Sequence, residues 1–208
     1  GRTCEAFILD MDTDGAVEVL LREQGGSLQV FHLVKDSWSL AGTVDLPGNC
    51  ASVNDALTLG LDATLTASTV TTLGTITGNA KALSIAGNAV LGDAPADTVT
   101  GLSSLQVSGS TAINASDVSS TGSQTYTGAV TLGADATLAA SGATAVIDMA
   151  SSVYSASSAT PSAWTITAGG ATSNVILRGA VGATAPLSSL AITASDIDLN
   201  GGAVTTTD

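Results

Sequence analysis

Leu57-Thr-Leu-Gly-Leu-Asp-Ala-Thr-Leu-Thr-Ala-Ser68 and Val130-Thr-Leu-Gly-Ala-Asp-Ala-Thr-Leu-Ala-Ala-Ser141 are one phrase written twice in the same chain. On either side of the Gly-x-Asp break, aliphatic residues alternate with Thr or Ala, the period of a strand that buries one face. A second pair, Leu102-Ser-Ser-Leu-Gln-Val-Ser108 and Leu187-Ser-Ser-Leu-Ala-Ile-Thr193, is followed by Ala-Ser-Asp and an aliphatic residue at 115–118 and 194–197. Short small-residue strands repeated with Gly, Asn and Asp at the breaks suit a β-solenoid, in which each coil buries an aliphatic face on its neighbours. At roughly 20 to 30 residues per coil, residues 51–208 make about five to eight coils, and the repeat copies, about 57–129 and 130–208, span several coils each. The inward positions are read as Leu57, Leu59, Leu65, Leu83, Ile85, Val90, Leu105, Val107, Leu138, Ile166, Leu190 and Ile192, among others. Asn79, Asn88, Asn114, Asn174 and Asn200 are placed at coil turns, where Asn tolerates a left-handed backbone.

Composition points the same way. The chain is 44% hydrophobic but only 3% aromatic and 11% charged, against about 25% charged residues in an ordinary globular domain. Ala, Thr, Ser, Gly, Val and Leu dominate from about residue 51, no Glu follows Glu23, and Lys81 and Arg178 are the only cations after that point of change. Long helices lack their usual surface residues here, whereas β-branched and small residues stack well on a pleated surface. The resulting fold class is all-β, a right-handed parallel β-helix preceded by a small antiparallel β unit. Tandem β-sandwich domains are the alternative, since one copy of the long repeat could also hold one such domain. Five basic residues against 18 acidic ones leave a net charge of −13, which argues against nucleic acid and anionic membrane surfaces. No apolar run is long enough to span a bilayer as a helix. The chain reads as a segment of a longer array.

Residues 1–50 differ in texture. Short alternating runs at 16–21, 28–34 and 38–44, broken by Gln24-Gly25-Gly26 and Lys35-Asp36-Ser37, predict a β-meander containing three of the six aromatics, Phe7, Phe31 and Trp38. Cys4 and Cys50 bracket this unit. A disulfide between them would staple it and imply an oxidising compartment, two unpaired buried thiols being the alternative. Within it lies Asp10-Met11-Asp12-Thr13-Asp14-Gly15-Ala16-Val17-Glu18. Carboxylates at positions 1, 3 and 5 can converge on a hard cation, Gly at 6 permits the tight turn, and an acid at 9 can close the shell, so calcium is the natural ligand. An EF-hand is excluded, because its twelfth position is Leu21 and strand-like runs flank the loop. A solvated acidic turn without metal is the competing reading.

The acidic loop resembles the Asp-x-Asp-x-Asp-Gly-x-x-acid loop of FG-GAP and VCBS repeats. That resemblance implies a structural calcium held by Asp10, Asp12, Asp14 and Glu18. Residues 53–208, with the run Gly122-Ser-Gln-Thr-Tyr-Thr-Gly-Ala-Val-Thr-Leu-Gly-Ala-Asp-Ala-Thr-Leu138, resemble the repeats of filamentous-haemagglutinin-like bacterial surface adhesins. This second resemblance implies an extracellular or cell-surface location and a role in adhesion, biofilm or fibre formation. Its partners would be other copies or neighbouring repeats of the same protein, or a host or matrix surface ligand.

Three function classes follow. The first is a structural and adhesive module that acts by coil stacking and self-association. The second is a surface-binding module for carbohydrate or ice. It rests on the pairs Thr64/Thr66, Thr69/Thr71, Thr75/Thr77, Thr98/Thr100, Thr125/Thr127 and Thr165/Thr167, whose uneven spacing in sequence argues against one flat ladder. The third is a polysaccharide-active β-helix enzyme using Asp196 and Asp198. It ranks last, because residues 51–208 offer almost no Arg, Lys, Trp or His to grip a sugar. His32 stands alone and is read as an ordinary strand residue, and no catalytic residue is assigned.

Overall fold

The computed structural model describes residues 56–207 throughout and, before them, the backbone of six strands. Cys4, Cys50, Asp10, Asp12 and Asp14 lie outside the described residues, and Glu18 falls in a strand described by its backbone alone, so the expected disulfide and calcium shell fall outside what is described. Strands β1 (Glu5–Leu9), β2 (Val17–Arg22), β3 (Leu28–Val34) and β4 (Ser37–Leu40) pair antiparallel in chain order, as a meander does. The short strands β5 (Val44–Asp45) and β6 (Ala51–Val53) follow.

From β7 (Leu57–Leu59) onward all pairing is parallel and the chain winds as a β-solenoid of about six turns. The first two coils are β7 with β8 (Ala63–Thr72), and β9 (Ile76–Thr77) with β10 (Ala82–Leu91). In the next three coils the long second strand is split in two. They are β11 (Thr98–Leu102), β12 (Ser104–Val107) and β13 (Thr111–Ile113); then β14 (Asp117–Ser120), β15 (Gln124–Tyr126) and β16 (Val130–Leu132); then β17 (Ala136–Ala140), β18 (Val146–Met149) and β19 (Val153–Ser155). Strands β20 (Ala163–Ala168), β21 (Asn174–Leu177), β22 (Ser189–Thr193) and β23 (Asp196–Leu199) complete the stack. One sheet, β7-β9-β11-β14-β17-β20-β22, is face 1, and the other is divided into face 2 (β12, β15, β18, β21, β23) and face 3 (β13, β16, β19), with β8 and β10 spanning both. β4 continues face 1 in parallel with β7, while β5 and β6 pair with β8, so both sheets run on across residue 50.

The core is a set of aliphatic columns. On face 1 Leu57, Ile76, Val99, Val118, Leu138 and Ile166 stack in register, and on face 2 Leu65, Ile85, Val107, Tyr126, Met149 and Leu177 do the same. All are buried. Burying such side chains contributes roughly 1.5–3 kcal/mol each. Parallel strands need this coverage, and the coil supplies it from its own opposite faces. Most inward positions read from sequence are met, and three residues are corrected. Val90 points outward, because alternation runs unbroken through the corner of β10 and places Ala89 and Leu91 inside. The parity does flip in β8, whose extra residue opposite Gly87 lets Val70 and Thr72 follow Ala67 inward. Leu190 and Ile192 are only partly buried, since among the described strands β22 has a neighbour, β20, on one side alone.

One rung of the core is polar. Tyr126 Oη donates to Gln124 Oε1 at 3.0 Å, and Gln124 Nε2 donates to the carbonyls of Val118 and Ala139 and to Ser120 Oγ. With its bonds met, this network costs little inside the rod and holds neighbouring coils in register. Burial pushes the Tyr126 phenol far above its ordinary range.

Sharp corners are made by backbone stacking on backbone. A Cβ on Gly109 would lie 2.6 Å from the carbonyl of Gly87, one on Gly128 would overlap the backbone of Gly109, and one on Gly201 would overlap that of Gly179. Between faces 2 and 3, Gly87, Gly109 and Gly128 stack in one run and Gly179 and Gly201 in a second, with Ser151 between the runs; at each of these glycines the neighbouring coil lies too close for a side chain.

The twice-written phrase does not stack on itself. Its first copy turns from face 1 to face 2, through β7 and β8, whereas its second turns from face 3 to face 1, through β16 and β17. What is repeated is a corner. In both copies the Asp accepts a hydrogen bond from the backbone N–H of the residue stacked on it in the next coil: Ala82 N to Asp62 Oδ1 and Ala163 N to Asp135 Oδ1, each 2.8 Å. The asparagines are corrected in part: Asn79, Asn114 and Asn200 do lie outside strands at coil turns, whereas Asn88 lies within β10, and Asn79 alone among the five has a left-handed backbone (φ 47), shared with Ala80. Asn174 lies within β21, and Asn114 bridges coils by donating from Nδ2 to the Gly92 carbonyl at 2.9 Å.

Candidate functional site

The outer surface of face 1 is the most regular feature of the rod. Its strands alternate, so residues between the buried columns point to solvent. Thr58, Thr77 and Thr100 stand in one file, and Ser119, Ala139, Thr167 and Thr193 in another. Beside them Thr98, Asp117, Thr137, Thr165 and Ala191 form a parallel file, which Thr75 extends by accepting at Oγ1 from the Thr98 N–H at 3.3 Å. Neighbours within a file are about 4.8 Å apart, and files lie about 6.6 Å apart along the strand. The result is a two-dimensional array of methyl and hydroxyl groups.

Three of the six Thr-x-Thr pairs noted in the sequence, Thr75/Thr77, Thr98/Thr100 and Thr165/Thr167, lie on this face. The others lie on face 2, face 3 or a corner. As the uneven spacing suggested, the pairs do not make one ladder, since the register shift between β11 and β14 breaks one file after Thr100; the other file runs on because coil length varies, the step along the chain from Leu138 to its stacking partner Ile166 being much longer than that from Val99 to Val118. The surplus is spent in exposed corner loops such as 156–160.

Asp117 is the single charged residue in these files. Its Oδ1 is buried and has no hydrogen-bond partner among the described residues, and desolvation raises its carboxyl above the usual carboxylate range. Charge is instead gathered at the far end of face 2. There Arg178 donates from Nε and Nη2 to both oxygens of Asp148 at 2.9 Å, and Asn174 Nδ2 donates to Asp198 Oδ2 at 3.0 Å. Asp196 and Asp198, the pair considered for catalysis, share the outer side of β23. Asp198 is engaged by Asn174, while Asp196 Oδ1 accepts from the Ile197 N–H at 3.0 Å.

Among the described residues no group of three or more His, Cys, Asp or Glu side chains is placed to hold a metal ion. Among them, too, no helix is long and apolar enough to cross a membrane. At the last coil, Ile197, Leu199 and Val204 occupy inward places, stacked on Val175, Leu177 and Val181, yet are 42%, 53% and 44% exposed. Sequence reasoning has no signal for this end face, because its pattern equals that of every buried coil. Comparison with protein-family models, with curated proteins and with solved structures finds no match.

Proposed function

We propose that the chain is an extracellular structural and adhesive module of a bacterial surface protein or filament, a rod that grows by coil-on-coil stacking. The observation carrying this reading is the apolar end face: Ile197, Leu199 and Val204 continue the inner columns to a level where no described strand covers them. A further coil with aliphatic inward residues, from a neighbouring repeat or another copy, satisfies both those side chains and the unpaired edges of β22 and β23. Sedimentation and negative-stain electron microscopy over a range of concentrations test it. Association that disappears in Leu199→Asp supports end stacking, and a wild-type chain that stays a single short rod at every concentration refutes self-assembly. Calcium at Asp10, Asp12, Asp14 and Glu18 belongs to the same reading as a structural ion, and an unchanged melting temperature on adding chelator removes it.

A second reading is favoured by the outer files of face 1. An array of threonine hydroxyls and methyls at strand spacing, with one charged residue, suits a repeating surface such as crystalline carbohydrate or ice, where many weak contacts add. Co-sedimentation with either solid, lost when Thr137 and Thr165 are both replaced by Lys, supports it. Equal retention of the variant eliminates it.

A further inference from the structure

We propose that Asn200 is a site of spontaneous covalent modification, where the chain converts its own asparagine to aspartate and isoaspartate by way of a cyclic imide formed with Gly201. Of the five asparagines among the described residues, Asn200 alone is followed by glycine. It is exposed, and its side chain makes no hydrogen bond within the described residues. The others are restrained. Asn79, Asn114 and Asn174 each donate from Nδ2 across coils, Asn88 Oδ1 accepts from Ser110 N–H at 2.9 Å, and each precedes Ala or Val, whose Cβ shields the attacking nitrogen.

The fold itself supplies the reactive pair. Gly201 stacks on Gly179 so closely that a Cβ there would overlap the Gly179 backbone. Coil stacking therefore demands a residue without a side chain at the position where a side chain would otherwise hinder ring closure. Residues 201 and 202 also lie past the end of β23, and Gly202 has a φ of 92°. The Gly201 N–H has no partner among the described residues, so the nucleophile is not held in a ladder.

In the reaction the backbone nitrogen of Gly201 attacks Cγ of Asn200. The new N–Cγ bond replaces the Cγ–Nδ2 bond, and Nδ2 departs as ammonia with the proton lost from Gly201. Water then opens the imide at one carbonyl to give aspartate or at the other to give isoaspartate, so one water is consumed for each ammonia released. Either product adds a carboxylate two residues from Asp198. Isoaspartate also lengthens the backbone at a corner fixed by the Asn200 N–H to Leu177 carbonyl bond, 2.8 Å.

Peptide mass mapping of the native protein, held in mildly alkaline buffer at physiological temperature for weeks, tests this. The peptide containing Asn200 is expected to gain about 1 Da and to separate into two isomers, with Asn79, Asn88, Asn114 and Asn174 unchanged and with no gain in Asn200→Gln. The urea-unfolded chain provides the intrinsic rate. A native Asn200 at least tenfold slower than in the unfolded chain, or a different asparagine converting first, overturns the proposal.

Discussion

Leu177 and Leu199 are consecutive rungs of one column, the same residue in the same register, yet Leu177 is 2% exposed and Leu199 is 53% exposed. Nothing local separates them. The difference is that Leu177 has a coil on each side, through Met149 and Leu199, whereas Leu199 has one. In a solenoid, then, burial belongs to the stack rather than to the strand, and stability is a sum over interfaces between neighbours.

The largest losses are expected at the corners. Gly128→Val places a side chain inside the backbone of Gly109 and is expected to cost above about 4 kcal/mol, or to prevent folding. Gly202→Ala, with nothing within 4 Å of its added Cβ but a φ of 92°, should cost only about 1 kcal/mol. Urea unfolding monitored by far-ultraviolet circular dichroism separates the two. Next come the leucines: at dilutions where the rods stand singly, Leu177→Ala should cost about 2–5 kcal/mol, and Leu199→Ala less than about 1 kcal/mol. A Leu199→Ala loss that grows with protein concentration would mean that stacking covers the end coil.

Asp62→Ala and Asp135→Ala should each cost about 1–2 kcal/mol, and by similar amounts, because each carboxylate accepts the same cross-coil bond although the two lie on different corners. Unequal effects would sink the reading of the repeat as a corner unit. The smallest effect concerns Asp117. Its folded pKa is raised, so the native state holds its proton more tightly than the unfolded chain does, and ionisation weakens the fold as pH rises. Asp117→Asn should therefore stabilise the protein at neutral pH. The gain should vanish below the ordinary value of 3.8, a crossing that thermal melts at two pH values detect.

Part of this is legible in the residues. Alternation of aliphatic with small polar residues marks Leu57, Leu83, Leu105, Leu138 and Ile166 as inward, since a period of two means one thing on a strand with one buried face. Val90 misleads because Val90 and Leu91 are adjacent and both aliphatic, and only the register with β13 decides which is inside. Gln124 and Tyr126 show no sign of being core, for a polar residue is acceptable there only when distant groups, here Val118, Ser120 and Ala139, meet its bonds. Face 1 is visible as threonine pairs but not as an array, because coils of different length hide in sequence what lines up in space.

The all-β class, the parallel stacking and the aliphatic interior were written in the residues, since these follow from local pattern and from side-chain size. Which faces the repeats occupy, which glycines are indispensable and where hydroxyls gather emerged only from the folded stack. Each of these depends on which residue of one coil rests on which residue of the next, and that register is set by loop lengths and by backbone contact between positions far apart in the chain.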